Sequence, residues 1–240
     1  MGWSYVFWVN KLYPKGTKPT AYLTEYSKHF NSVEVDATFY RIPSETTVKS
    51  WATQVPEGFR FAAKFPQAVS HAAGLEYDSE KLDVFLHRIA QLGNKLGPLL
   101  IQFPPYLKPD QAKLRDLLDA LPPGHLYAAE FRNRGWFTEE TYALLRDNEV
   151  AFALNNTPGH PEVYTTGFTY VRWEGDRKVV NGEKGIIEAD RDSETAEWAK
   201  RIIRFLEADI EVYGYFSKYY SGYPVSDAEE LRRLLSEGIS

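Results

Sequence analysis

Short stretches that alternate apolar and polar residues, or run wholly apolar, recur along the chain with amphipathic segments between them. The strand pattern falls at residues 32–38, 59–65, 99–103, 127–132, 150–154, 168–173 and 212–216. Helical spacing falls at 20–30, where Tyr22, Leu23, Tyr26 and Phe30 share a side, and at 79–92, with Leu82, Phe85, Leu86 and Ile89. Further helices are expected at 44–51, 110–121, 138–148, 193–206 and 226–235, the first capped by Ser44. Residues 175–189 are glycine-rich and charged, and they read as an excursion.

Short strands feeding helices imply parallel pairing with right-handed crossovers. Seven strands, or eight if residues 1–5 supply one, suit a TIM-type (β/α)8 barrel whose first strand is short or clipped. An open doubly wound sheet is the alternative. No Gly-x-Gly-x-x-Gly follows a strand, which removes the dinucleotide fingerprint. With no linker or composition break, residues 1–240 read as one domain.

Strand phase turns this fold into a site. With the more apolar face of each strand turned outward, the lumen receives Glu34, Asp36 and Thr38; Arg60, Ala62 and Lys64; Leu100 and Gln102; and Ala128, Glu130 and Arg132. It also receives Ala151, Ala153, Asn155, Tyr170 and Arg172. Polar residues end most sets, at the C-terminal rim where barrel enzymes keep their chemistry. Lys64, Gln102, Glu130, Arg132, Asn155 and Arg172 are therefore expected at one mouth, with Glu34 and Arg60 as a structural pair deeper in the lumen.

Three cations against Glu130 predict a basic mouth suited to phosphate or carboxylate. Glu130 is the candidate acid/base. Lys64 is a candidate electrophile or Schiff-base nucleophile, and His71, which follows a strand, an acid/base or phosphate contact. His160 also follows a strand and can reach the rim. Trp3, Tyr40 and Trp136, with Tyr5, Phe103 and Tyr106, fall at strand ends and suggest an aromatic wall.

Composition narrows the classes. Lys plus Arg total 28 against 33 Asp plus Glu, net −5, which disfavours a general nucleic-acid binder. The absence of cysteine excludes disulfides and thiolate chemistry, and no His pair has the spacing of a helical zinc motif. Neither a metal nor a cofactor is expected. With no signal peptide and no long apolar run, a soluble cytoplasmic protein is expected; its oligomeric state is left open.

Several motifs in combination resemble the YecE-like family, a domain of unknown function (number 72). They are Gly2-Trp3-Ser4-Tyr5, Tyr13-Pro14, Val33-Glu34-Val35 with Thr38-Phe39-Tyr40-Arg41, and Pro56 through Lys64 with Ser70-His71. Leu96 through Pro105, Glu130-Phe131-Arg132 with Trp136, and Tyr170 through Gly175 extend the likeness over nearly the whole chain. The resemblance implies a TIM-type barrel related in shape to sugar isomerases and apurinic endonucleases, and no particular activity. By position it points to Glu34, Lys64, His71, Gln102, Glu130, Arg132, Trp136 and Arg172.

There are three departures. Only Met1 precedes the Gly-Trp, Glu174-Gly175 stands where the family has His-Gly, and Ser217-Lys218 replaces paired asparagines. The resulting expectation is a metal-independent enzyme acting on a small anionic or sugar-like substrate. The alternatives are a nucleic-acid-binding or repair protein and a non-catalytic scaffold barrel.

Overall fold

The computed structural model describes residues 1–238. Its strands are β1 (Ser32–Val35), β2 (Arg60–Lys64), β3 (Leu96–Phe103), β4 (Tyr127–Phe131), β5 (Val150–Phe152), β6 (Leu154–Asn155), β7 (Phe168–Trp173) and β8 (Glu211–Phe216). All pair in parallel, in sheet orders β1-β2-β3-β4-β5 and β6-β7-β8. β5 and β6 are one expected strand bent at Ala153, whose N–H still bonds the Ala129 carbonyl at 2.9 Å. The strands curl as a TIM-like barrel. Among the described residues β8 and β1 share no ladder. Met1 N donates to the Phe216 carbonyl and Gly2 N to the Glu34 carbonyl, each at 2.8 Å, so the short first strand is reduced to these two links.

The helices are α1 (Tyr22–Tyr26), α2 (Ala37–Tyr40), α3 (Glu45–Thr53), α4 (Gln67–Ser70), α5 (Ser79–Ile89), α6 (Gln111–Asp119), α7 (Glu139–Asp147), α8 (Asp192–Glu207) and α9 (Pro224–Gly238). Four start on side chains that accept a third-position N–H: Ser44, Asp78, Asp110 and Thr138. Two expectations need correction. The helix expected over 20–30 is only the short α1 preceded by a 3₁₀ turn. The strand expected over 32–38 stops at Val35, because Thr38 turns its hydroxyl onto the Val35 and Lys64 carbonyls and the chain enters α2.

Two apolar clusters match the two strand faces. The larger lies between strands and helices. The smaller fills the lumen: Ala62, Ala128, Ala151 and Ala153 on β2, β4 and the bent fifth strand oppose Phe168, Tyr170, Tyr213 and Tyr215 on β7 and β8, with Leu100 between. Small side chains on one wall make room for large ones on the other, which packs a narrow barrel without voids. An apolar cavity of about 290 Å³ lies outside, among Met1, β8, α8 and α9, beside the missing ladder. No helix among the described residues is long and apolar enough to cross a membrane.

The lumen fit is tight, so Ala128→Leu is expected to cost about 1–3 kcal/mol by overpacking. Urea denaturation at neutral pH measures this; an unchanged midpoint would contradict the filled lumen.

Candidate functional site

The strand register carries the polar ends of the lumen set to one mouth. Gln102 lies beside Glu130, and Asn155 beside Arg172. At their centre the Arg172 guanidinium is 3% exposed. Its Nε and Nη2 donate to the two Glu34 oxygens at 2.9 Å each, and its Nη1 donates to Glu130 Oε2 at 2.7 Å. Glu174 Oε1 lies 2.8 Å from Nη1. Tyr170 adds a hydroxyl donated to Glu34 at 2.6 Å. Arg132, 40% exposed, ties Glu130 at 3.2 Å and Glu174 at 3.1 Å.

Burial alone would push both Glu34 and Glu130 up. The charge and hydrogen bonds of Arg172 outweigh it, so both stay ionised, Glu34 at about 2. Glu130 is therefore a fixed carboxylate holding two arginines. That does not suit the acid/base role expected of it, which needs a proton gained and lost near neutral pH. Asp36 differs. Its side chain is 37% exposed and touches Arg172 only at 3.6 Å. Loss of solvent, then the charge of Glu34, raises its carboxyl to about 7 despite Arg172, the Met1 ammonium and Lys64.

The expected Glu34–Arg60 pair is corrected, since Glu34 pairs with Arg172. Arg60 sits at the start of β2, reaching the Phe59 carbonyl at 3.4 Å, while Glu34 faces β7 across the lumen. The expectation of three cations against one acid is corrected as well. Asp36, Glu34 and Glu174 join Glu130 around Lys64, Arg132 and Arg172, so the inner ring is not basic. Asp36 was legible as a lumen-phase residue. Glu174 continues the alternation of Tyr170 and Arg172 by one more step.

Lys64, Gln102, Glu130, Arg132, Asn155, Arg172 and Tyr40 all line one cleft of about 930 Å³, together with His160, Arg134, Arg177, Lys178 and Lys218. Of these last four cations, Arg134 starts a 3₁₀ turn and the others lie on loops, where no periodicity marks them. Trp3 and Trp136 do not line it. Trp3 packs edge-on against Trp51 and Phe61. Trp136 is fully buried, stacks on Phe131 and donates to the Leu107 carbonyl at 3.1 Å. Trp136 is a core residue, folded under the chain by the turn after β4, and Trp3 is partly buried against the main core.

His71 stands beside the cleft against Phe39, with Nδ1 3.0 Å from the Ser70 hydroxyl. Burial, then Lys64 and Arg132, lower it to about 4, so it is neutral at physiological pH. No group of three or more His, Asp or Glu among the described residues is arranged to hold a metal.

Two outcomes follow from the buried network. Arg172→Met leaves Glu34 and Glu130 uncompensated and is expected to cost about 3–5 kcal/mol in chemical denaturation. The Glu34 pKa is depressed from 4.5 to about 2 on folding, so its stabilisation is complete above about pH 4.5 and is lost as pH falls towards 2. Melting temperatures measured across that window are expected to fall, and Glu34→Gln to flatten the fall; an identical slope in the variant would refute the linkage.

A model of the family described as Protein of unknown function DUF72 matches residues 1–239. The UPF0759 protein YecE of Escherichia coli K12 is 35% identical over 127 residues, covering 52% of this chain and 47% of that protein. That match thus spans about half the relative's length. The UPF0759 protein YunF of Bacillus subtilis is 28% identical over 259 residues, covering 94% of this chain and 90% of YunF. The crystal structure of a DUF72 family protein from Thermotoga maritima superposes with a TM-score of 0.81 at 26% identity, over 98% of this chain and 96% of that one. One from Enterococcus faecalis, at 23% identity, shares the fold with a TM-score of 0.76 over 92% and 95%. With the family model spanning almost its full length, the chain belongs to the DUF72 family.

Proposed function

We propose that the protein is an enzyme acting on a small anionic or sugar-like substrate held in the cleft at the C-terminal mouth of the barrel. One observation carries this reading. Among the described residues, Lys64, Arg134, Arg177 and Lys178 line the cleft without a carboxylate partner, whereas Arg132 and Arg172 are already committed to carboxylates. Uncommitted cations around a concave site favour an anion that brings its own charge. This moves the anion contacts from Arg132 and Arg172 to the side chains around them. Gln102 and Asn155 are both buried and adjacent to the charged network, and in this reading they orient a substrate's polar groups.

A confined cleft suits a compact ligand better than a nucleic-acid strand, which needs a continuous basic track. The scaffold alternative lacks a comparable positive observation.

Inorganic phosphate and small phosphorylated sugars at low ionic strength test the reading. At ten times Kd a ligand is expected to stabilise by about 1.4 kcal/mol, a melting rise of roughly 3–6 °C for a chain of this size. The double variant Arg177→Ala, Lys178→Ala is expected to lose most of that rise. No shift with any anion at low salt would remove the basis for an anionic substrate.

A further inference from the structure

Lys64 is the cation at the end of β2. Its ammonium sits 4.4 Å from the centroid of Phe39, and among the described residues no carboxylate lies within ion-pair distance of it. Its strand neighbour Leu100 and the alanines below it make its floor apolar. Around it stand Arg172, Asp36, Glu34 and Glu130, with His71 to one side. Burial, then the Arg172 guanidinium, draws its pKa below the usual lysine value, and the carboxylates offset this only in part. An amine desolvated beside a second fixed cation is the arrangement that makes lysine a nucleophile. A lysine that served only to grip an anion would gain from full protonation.

Asp36 complements it. Glu34, Glu130 and Glu174 are all hydrogen-bonded to arginine, but Asp36 has only the 3.6 Å approach of Arg172 and faces the same cleft. With no hydrogen bond from arginine and a pKa at about 7, Asp36 carries a proton part of the time at neutral pH and is able to exchange it.

We propose that Lys64 forms an imine with carbonyl compounds that bear an anionic group, and that Asp36 carries the proton for this step. The inference rests on the reading of the cleft as an anion site and adds the substrate's reactive group. The Lys64 Nζ lone pair attacks the carbonyl carbon, a C–N bond forms, and the oxygen takes the proton of the protonated Asp36. The nitrogen then gives a proton to Asp36. In dehydration Asp36 returns a proton to the hydroxyl, the C–O bond breaks, water leaves and the C=N bond forms. The second N–H proton passes to Asp36, restoring it. One carbonyl compound and one amine yield one imine and one water, with no oxidant or reductant.

The reporter aldehyde is pyridoxal 5′-phosphate, used at low concentration at pH 7, followed by borohydride reduction and peptide mass mapping of the full-length protein. Label is expected at Lys64 at least tenfold above any other lysine, suppressed by inorganic phosphate and absent from Lys64→Arg. Labelling of the wild type against pH is expected to reach half its maximum below the surface lysines, a readout that needs no variant. Asp36→Asn is expected to slow imine formation about tenfold at pH 7 while leaving the final yield unchanged. Label spread evenly over surface lysines overturns the proposal. If phosphate still raises the melting temperature in that case, the imine is wrong and the anion site stands; if phosphate has no effect either, both fall.

Discussion

One guanidinium holds this barrel mouth together. Arg172 of β7 reaches Glu34 of β1 and Glu130 of β4, so it bridges the three-stranded and five-stranded sheets. The bridge matters more here than in a barrel with an unbroken ladder, because β8 and β1 share no ladder among the described residues and are tied through the backbones of Met1 and Gly2. A charge so fully buried is tolerable only with its hydrogen bonds satisfied, and the bidentate grip of Glu34 with the single bond to Glu130 meets that condition. Removing any member would strand the others in a low-dielectric interior.

That constraint divides the chemistry of the mouth. Glu34 and Glu130, bound to arginine, stay ionised and supply a fixed field, and Glu174 is tied to Arg132 beside them. The groups outside the network, Asp36 and Lys64, feel that field without being neutralised by it. Burial and then Glu34 raise Asp36, and burial and then Arg172 lower Lys64, so the two shift towards each other's range. Perturbed groups with opposite shifts in one cleft are what acid/base and nucleophilic chemistry require. The same network corrects the expectation for Glu130, whose tight pairing removes its capacity to cycle a proton.

Beneath this layer the lumen is apolar and uneven, alanines facing tyrosines and a phenylalanine. Tyr170 belongs to both layers: its ring fills the lumen and its hydroxyl reaches Glu34. The packed floor keeps the charged ring at the mouth, and the aromatic residues expected to wall the cleft divide accordingly. Tyr40 stays exposed at its edge, while Trp3 and Trp136 are drawn into the packing between strands and helices.

The sequence by itself determined the order of strands and helices, the helix cap at Ser44, and which side chains face the lumen. It did so because a period of two along a strand and near four along a helix is a local property. The rim set it predicted, Lys64, Gln102, Glu130, Arg132, Asn155 and Arg172, lines one cleft in the structure. Only the tertiary structure decided which charges meet. A long guanidinium selects its partners across the lumen, and barrel curvature brings β1, β4 and β7 together although they lie far apart in the chain. Hence Arg60, in phase with the lumen, lost Glu34 to Arg172, and Arg134, Arg177, Lys178 and Lys218 joined the cleft from a 3₁₀ turn and loops that carry no strand periodicity. The burial of Trp136 was likewise decided by the turn that follows β4, which folds it beneath the chain rather than over the cleft.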